Sequence, residues 1–269
     1  MRFKIQHIAA EKLASAYTPT QHRINQIGVF LYVALCGTGL FRLANVVPAE
    51  LAWIVGVGAF VGILLSDMFT GFVHWGCDTF GRSDTFFWGR IFIRSFREHH
   101  VDPLAITRHD WAQCNGEACL VGIPLTLPLV LFLPGAGSGW VIFFWSLAFF
   151  MLVFSALANQ FHKWAHQKET PPLVGFLQKT GILMSFRHHQ KHHRAPYTKG
   201  YCITVGWMNP ILDRIGFWRF MENVSMRIWG NLPREDDVGT EGALQIMEHL
   251  EMKIPPNVRV QLDAHTSRS

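Results

Sequence analysis

Four long apolar stretches restrict what this chain can fold into more than any other feature. A helix that crosses a bilayer needs about 20 mostly apolar residues. The stretches run from Ile24 to Val47, Leu51 to Val73, Cys119 to Leu133 and Trp140 to Phe161. The first carries Arg42 near its end, where a long side chain can snorkel to the interface. The second is the cleanest. The third is short and contains Pro124 and Pro128, which predicts a kinked or incomplete crossing. The fourth is rich in Phe, and the segment Pro134–Gly139 joins it to the third as a tight helical hairpin. Composition agrees. Hydrophobic residues make up 49% of the 269 and charged ones 16%, whereas soluble domains carry about 25% charged residues. The 10 Trp suit a lipid–water interface, since the ring is apolar and its N–H polar.

Lys and Arg set the orientation. Arg2, Lys4, Lys12 and Arg23 precede the first stretch, and Arg82, Arg90, Arg94, Arg97 and Arg108 lie between the second and third. The third-to-fourth link has none, and basic residues return from Lys163 onward. Four crossings put the N-terminus, the middle loop and the C-terminal region on one side, and the positive-inside tendency makes that side cytoplasmic. The net charge of +5 is therefore read as attraction to anionic lipid rather than to nucleic acid. Cys36, Cys77, Cys114, Cys119 and Cys202 form no CxxC pair and read as reduced, structural thiols. Residues 1–26 lack the compact apolar core of a signal peptide. Leu173–Phe186 reads as a shallow interfacial helix, and Met208–Met221 as an amphipathic one with Arg214 and Arg219 on its polar side. From Asn231 the chain is polar and reads as a loose tail, with a short helix over Leu244–Met252. The expected fold is an all-α integral membrane protein, with about four transmembrane helices and a cytosolic, histidine-rich helical cap.

Fourteen histidines are present. His7, His22, His249 and His265 stand alone and read as ordinary polar residues. The other ten fall on the cytoplasmic side: His74 at the end of the second stretch, His99, His100 and His109 in the loop after it, His162 and His166 in NQFHKWAH, and His188, His189, His192 and His193 in RHHQKHH. His162 and His166, four apart, share one helix face with Asn159. His189, His192 and His193 also read as one face, and His188 pairs with His192 at i, i+4. Neutral imidazole suits iron, zinc and copper. A catalytic zinc usually takes three protein ligands, so this supply exceeds one ion and points to two. Asp67, Gly71, His74 and Asp78 line up on one face, and Asp102 and Asp110 flank the loop histidines. Asp67, Asp78, Asp102 and Asn159 are candidates to hydrogen-bond the outer nitrogens of metal-bound imidazoles. Salt bridges to Arg97 or Arg108 are the alternative for the carboxylates, and a direct ligand role or helix packing for Asn159.

The strings GFVHWGCDTFG, FIRSFREHHVDPLAITRHDW, NQFHKWAH, RHHQKHHRAP and CITVGWMNP, in that order, closely resemble the plasmanylethanolamine desaturase family, part of a wider group of histidine-box membrane lipid desaturases. The likeness runs from Ala14 to Asp237. It implies a cytosolic N-terminal segment over 1–26, a membrane lipid desaturase domain over 27–230 and a polar C-terminal tail over 231–269. The implied activity is O2-dependent dehydrogenation of the 1-O-alkyl chain of an ether phosphatidylethanolamine to a vinyl ether, the bond that defines plasmalogens. The implied cofactor is two iron ions, and the implied partners are the ether phospholipid, membrane lipids and an electron donor of cytochrome b5 or ferredoxin type. The membrane would be the plasma membrane in a bacterium or the endoplasmic reticulum in a eukaryote. By the same resemblance the histidine boxes, taken as catalytic, fall on His162, His166, His189, His192 and His193. His74, His99 and His100 match upstream ligands, and His109 and His188 are further candidates. Tyr197 stands where family members often carry a histidine, Asn115–Ala118 departs from the usual acidic–Asn ending, and the third-to-fourth link is short. Arg94, Arg97, Arg187 and Arg194 are candidates to meet the lipid headgroup. Rival readings are an acyl-lipid desaturase or hydroxylase on the same scaffold, a histidine-rich metal transporter, and a regulatory membrane protein with a structural metal. A transporter places ionisable residues at mid-span, which these stretches lack.

Overall fold

Thr18 starts the first helix: its hydroxyl accepts from the Gln21 N–H at 3.1 Å, and Pro19 fills the first turn, where its missing N–H costs no intrahelical bond. The computed structural model describes residues 18–85, 89, 93–133 and 138–260. His7, His265, Arg2, Lys4, Lys12, Arg90 and most of the expected 134–139 turn lie outside the described residues. Four helices are long and apolar enough to cross a membrane: α1 (Pro19–Val46), α2 (Ala52–Thr79, entered through a 3-10 turn), α5 (Trp111–Leu131) and α6 (Gly139–Ala156). Between α2 and α5 lie the short α3 (Arg94–Val101) and α4 (Ala105–Arg108). The described residues form no β-strand.

The third span starts earlier than expected. The Asp110 carboxylate caps it by accepting from the Gln113 N–H at 2.8 Å, so polar Gln113, Asn115 and Glu117 are helical rather than loop. At roughly 1.5 Å per residue, its 21 residues reach about 31 Å, enough to cross the apolar core with both prolines inside. The fourth span is shorter than expected. It ends at Ala156, and after Leu157 the chain resumes as α7 (Ala158–His166).

Across the membrane α1 packs on α5, α5 on α6 and α6 on α2. Glycine sets the closest approach. A Cβ at Gly58 of α2 would lie 2.7 Å from the Phe143 carbonyl oxygen, and one at Gly62 would meet the backbone at Leu147. Such small-xxx-small spacing lets two membrane helices pack backbone to backbone. Leu43, Val130, Trp145 and Phe149 fill the bundle, while Phe30, Phe41, Phe132 and Trp140 face outward toward lipid. Arg42 does not simply reach for the interface. Its guanidinium donates to the carbonyls of Val130 and, at 3.2 Å, Leu131, which the end of α5 leaves unpaired.

With four crossings, the start of α1, the end of α2, the start of α5 and the end of α6 share one face, and the cap lies there. It comprises α3, α4, α7, α8 (Pro172–Lys179), α9 (Phe186–His189), α10 (Asn209–Arg214), α11 (Phe217–Trp229) and α12 (Glu235–His249). Of the expected helix over Leu173–Phe186 only α8 forms, with Leu173 and Phe176 exposed; the chain turns at Gly181, whose φ is +76°, and residues 180–185 are not helical. The expected helix over 208–221 is split at Gly216, whose φ of +68° ends one helix and opens the next. Residues 231–260 are not a loose tail. Met226, Leu232, Ala243, Met247 and Val258 close a small core, and Arg234 is buried against Glu222. The sequence hides this packing because its few apolar residues are spread thinly among charges. All five cysteines are free thiols, and all but Cys36 are buried.

Candidate metal centre

The end of α2 carries the first two components. His74 and Asp78, one helical turn apart, are both buried where the helix leaves the membrane. The loop after α2 returns His99 and His100 on α3, and the continuation of the fourth span supplies His162 and His166 on α7. Ser185 caps α9 by accepting from the His188 N–H at 3.3 Å, and that one helical turn and the turns after it present His189, His192 and His193.

These side chains form two adjacent groups, His99, His162, His166, His189 and His193 in one, and His74, Asp78, His100 and His192 in the other. Within each group the ligand atoms all lie within 4.8 Å of one another. In the first, the Nε2–Nε2 separations are 2.8 Å for His99–His166 and His162–His189, 3.0 Å for His189–His193, 3.1 Å for His99–His193 and 3.2 Å for His162–His166. In the second, the Nε2 atoms of His100 and His192 are 2.8 Å apart, and Asp78 Oδ2 lies 3.3, 3.5 and 3.6 Å from Nε2 of His74, His192 and His100. The rings of His192 and His193 are 5.3 Å apart, so the two groups adjoin.

Burial, then the proximity of the other imidazoles, pushes the pKa of His99, His100, His162, His189 and His192 well below the ordinary histidine value. His166 is lowered to about 3 and His193 to about 4, again chiefly by burial. The rings are therefore neutral, the state in which imidazole offers a lone pair to a metal. Two of the outer nitrogens show which face is free. Nδ1 of His74 contacts the Tyr201 carbonyl at 3.0 Å and Nδ1 of His192 the Lys199 carbonyl at 2.9 Å. A carbonyl only accepts, so each Nδ1 carries the proton and each Nε2 presents its lone pair inward. His74 Nε2 and both Asp78 oxygens are buried without a hydrogen-bond partner. Buried acceptors facing one another are costly unless something positive lies between them. The donor set thus fits a cation in each group, nitrogen-only in the first and mixed nitrogen and oxygen in the second.

Eight of the ten clustered histidines are brought together in this way. His109 and His188 stand outside both groups. His109 is tied by its carbonyl, which accepts from Lys163 Nζ, and His188 packs beside Gly206. Among the carboxylates, Asp78 lies among the candidate ligand atoms themselves rather than behind them. Asp67 accepts from the backbone N–H groups of Val205, Gly206 and Met208, each at 2.9 Å, and so pins loop 202–209 to α2. Asp102 pairs with Arg108 at 2.5 Å. Asn159 donates to the Cys114 carbonyl at 3.1 Å, joining α7 to α5. Sequence reasoning missed the carbonyls of Lys199 and Tyr201, which no side-chain pattern announces. The spacing of His189, His192 and His193 predicts one face, whereas His192 belongs to the other group.

Taken together, these features define a four-span membrane protein with two adjoining histidine-rich groups, each able to hold a metal ion, buried at one membrane face. The chain belongs to the lipid desaturase family: the lipid desaturase domain matches residues 63–236. It is 40% identical over 240 residues to the plasmanylethanolamine desaturase of Myxococcus xanthus, covering 89% of this chain and 84% of that protein. It is 38% identical over 241 residues to plasmanylethanolamine desaturase 1 of Mus musculus, covering 88% of this chain and 89% of that protein. Its likeness to the chloroplastic fatty acid desaturase 4 of Arabidopsis thaliana is 38% over 182 residues, 66% of this chain and 54% of that protein. No solved structure matches the chain.

Proposed function

We propose that this chain is a plasmanylethanolamine desaturase, which converts the 1-O-alkyl chain of an ether phosphatidylethanolamine into a vinyl ether. The observation that carries the reading is the pair of adjoining ligand groups at the membrane face, in a chain that matches two proteins of that name over most of their length. The overall reaction removes one hydrogen from each of two adjacent carbons, the first two of the alkyl chain counted from the ether oxygen. O2, two electrons and two protons complete the balance, giving two waters. Two bound iron ions would supply the redox chemistry that such unactivated C–H bonds need. His99, His162, His166, His189 and His193 would hold one ion, and His74, Asp78, His100 and His192 the other.

The chain's own contribution is position and dryness. The ligand atoms are buried at the end of α2 and on α7, which keeps bulk water from them. Arg187 and Arg194 are exposed beside the histidine turns and suit the headgroup phosphate. Arg97 is engaged elsewhere: it donates to the Gly81 carbonyl at 2.6 Å and lies 3.9 Å from Asp237. The cap is cytoplasmic, by the positive-inside tendency, and electrons come from a soluble or membrane donor of cytochrome b5 or ferredoxin type. The acyl-lipid alternative is less well supported, because the likeness to the plastid enzyme covers only about half of that protein. Lipid profiling of cells with and without the gene tests the reading. Loss of acid-labile vinyl ethers on deletion supports it, and an altered acyl double bond with vinyl ethers intact contradicts it.

A further inference from the structure

The inner faces of the histidines are spoken for by the metal centre, but the outer faces of two of them rest on one short loop. His192 and His74 place their Nδ1 protons on the carbonyls of Lys199 and Tyr201. That loop is held from behind. The Tyr201 hydroxyl donates to the Tyr197 carbonyl at 2.7 Å and accepts from Arg234 Nη2 at 3.0 Å. Arg219 donates to the Thr198 carbonyl at 3.0 Å, and the Gly200 N–H donates to Asp213 at 3.2 Å. Behind these lies Glu222, fully buried, which accepts from Arg234 at 2.8 Å and from Arg219 at 2.5 Å. Arg234 is itself buried, and its backbone N–H donates at 2.6 Å to the carbonyl of Thr79, the residue after Asp78.

A guanidinium and a carboxylate buried together, with the Arg219 guanidinium half-buried beside them, are a poor way to gain stability, since desolvation offsets most of the attraction and apolar residues would serve as well. Such a network does fix geometry, because each guanidinium fork has few ways to satisfy its donors. This one reaches the metal centre at two places, the Thr198–Tyr201 loop, through the Thr198 carbonyl and the Tyr201 hydroxyl, and the end of α2, through the Thr79 carbonyl. We propose that Glu222, Arg234 and the Tyr201 hydroxyl are positioning residues for the second ligand group, holding the two carbonyls that aim His74 and His192 at a metal ion. The inference rests on the two-ion reading above. It gives the packed segment after Trp229 a role in metal binding rather than in folding alone.

The test is Co(II) titration of the purified full-length chain in detergent, read by stoichiometry and by the absorption of the bound ion. The wild type takes up two equivalents. Tyr201→Phe removes one oxygen and keeps the ring on Trp218, at 4.9 Å. It is expected to keep one tight equivalent and to weaken the other about tenfold, the lower end of the 10–100-fold effects seen for groups that orient metal ligands. Arg234→Met should lose that equivalent, and Arg234→Lys should recover part of it. Unchanged affinities for both equivalents in Tyr201→Phe and Arg234→Met overturn the inference while leaving the two-ion reading intact. Equal weakening of both equivalents also overturns it, since a general structural role predicts that result. Fewer than two equivalents in the wild type overturns the two-ion reading, and this inference with it.

Discussion

His99 and His166 are 67 positions apart, yet their Nε2 atoms lie 2.8 Å from each other. One sits on α3 in the loop after the second span, and the other ends the helix that continues the fourth. Their contact ties the two halves of the chain together at the membrane face, and Nε2–H can satisfy at most one side of it. Replacing His166 or His189 with Ala should lower bound metal from two equivalents to about one. It should also cut vinyl-ether formation by at least about 100-fold, since both groups must be filled for reaction. Metal analysis beside an activity assay checks this, and wild-type metal content in His189→Ala would contradict it.

Among the described residues, Asp78 is the only carboxylate within either group. In Asp78→Asn the side chain keeps its size but loses the charge that offsets a cation. The first equivalent should bind as in the wild type and the second at least about tenfold more weakly. A variant with both affinities unchanged would show that three imidazoles suffice there.

His109 and His188 lie outside both groups, so His109→Ala and His188→Ala should each retain two equivalents of metal. Loss of an equivalent in either variant would add a ligand that the present geometry does not place. The measurement is the same titration, on protein checked for an unchanged elution volume in detergent.

Asp67 should matter for stability, not metal affinity. Asp67→Ala leaves the N–H groups of Val205, Gly206 and Met208 without their acceptor, at a cost of about 3 kcal/mol or more. Gly62→Val should be similarly harmful, because a side chain there meets the backbone of α6 at Leu147. Thermal unfolding in detergent should fall by several degrees in both. An unchanged midpoint in Asp67→Ala would mean that loop 202–209 holds its place without the carboxylate.

Much of this was legible in the sequence because the bilayer imposes simple rules. Apolar length gave the four spans, and the distribution of histidines gave the face on which they gather. What failed was local. The spacing of His189, His192 and His193 implies one helix face, but α9 ends at His189, and the following turns send His192 to the other group. The neighbouring pair His99–His100 is divided in the same way, as adjacent helical residues point about 100° apart. Asp67 and Asp78 look alike on the α2 face. Only the three-dimensional fold puts backbone N–H groups at one and imidazoles at the other. The buried Arg234–Glu222 pair could not be seen at all, because a charge pattern does not reveal which charges face inward.

The most direct test uses purified, iron-loaded protein with 1-O-alkyl-2-acyl phosphatidylethanolamine, a reduced electron donor and O2. Acid treatment of the product releases a long-chain aldehyde only where a vinyl ether has formed. That aldehyde is the expected product, dependent on O2 and on iron, with none from the diacyl lipid. A new double bond or hydroxyl in an acyl chain, with no aldehyde from the alkyl ether, would contradict it.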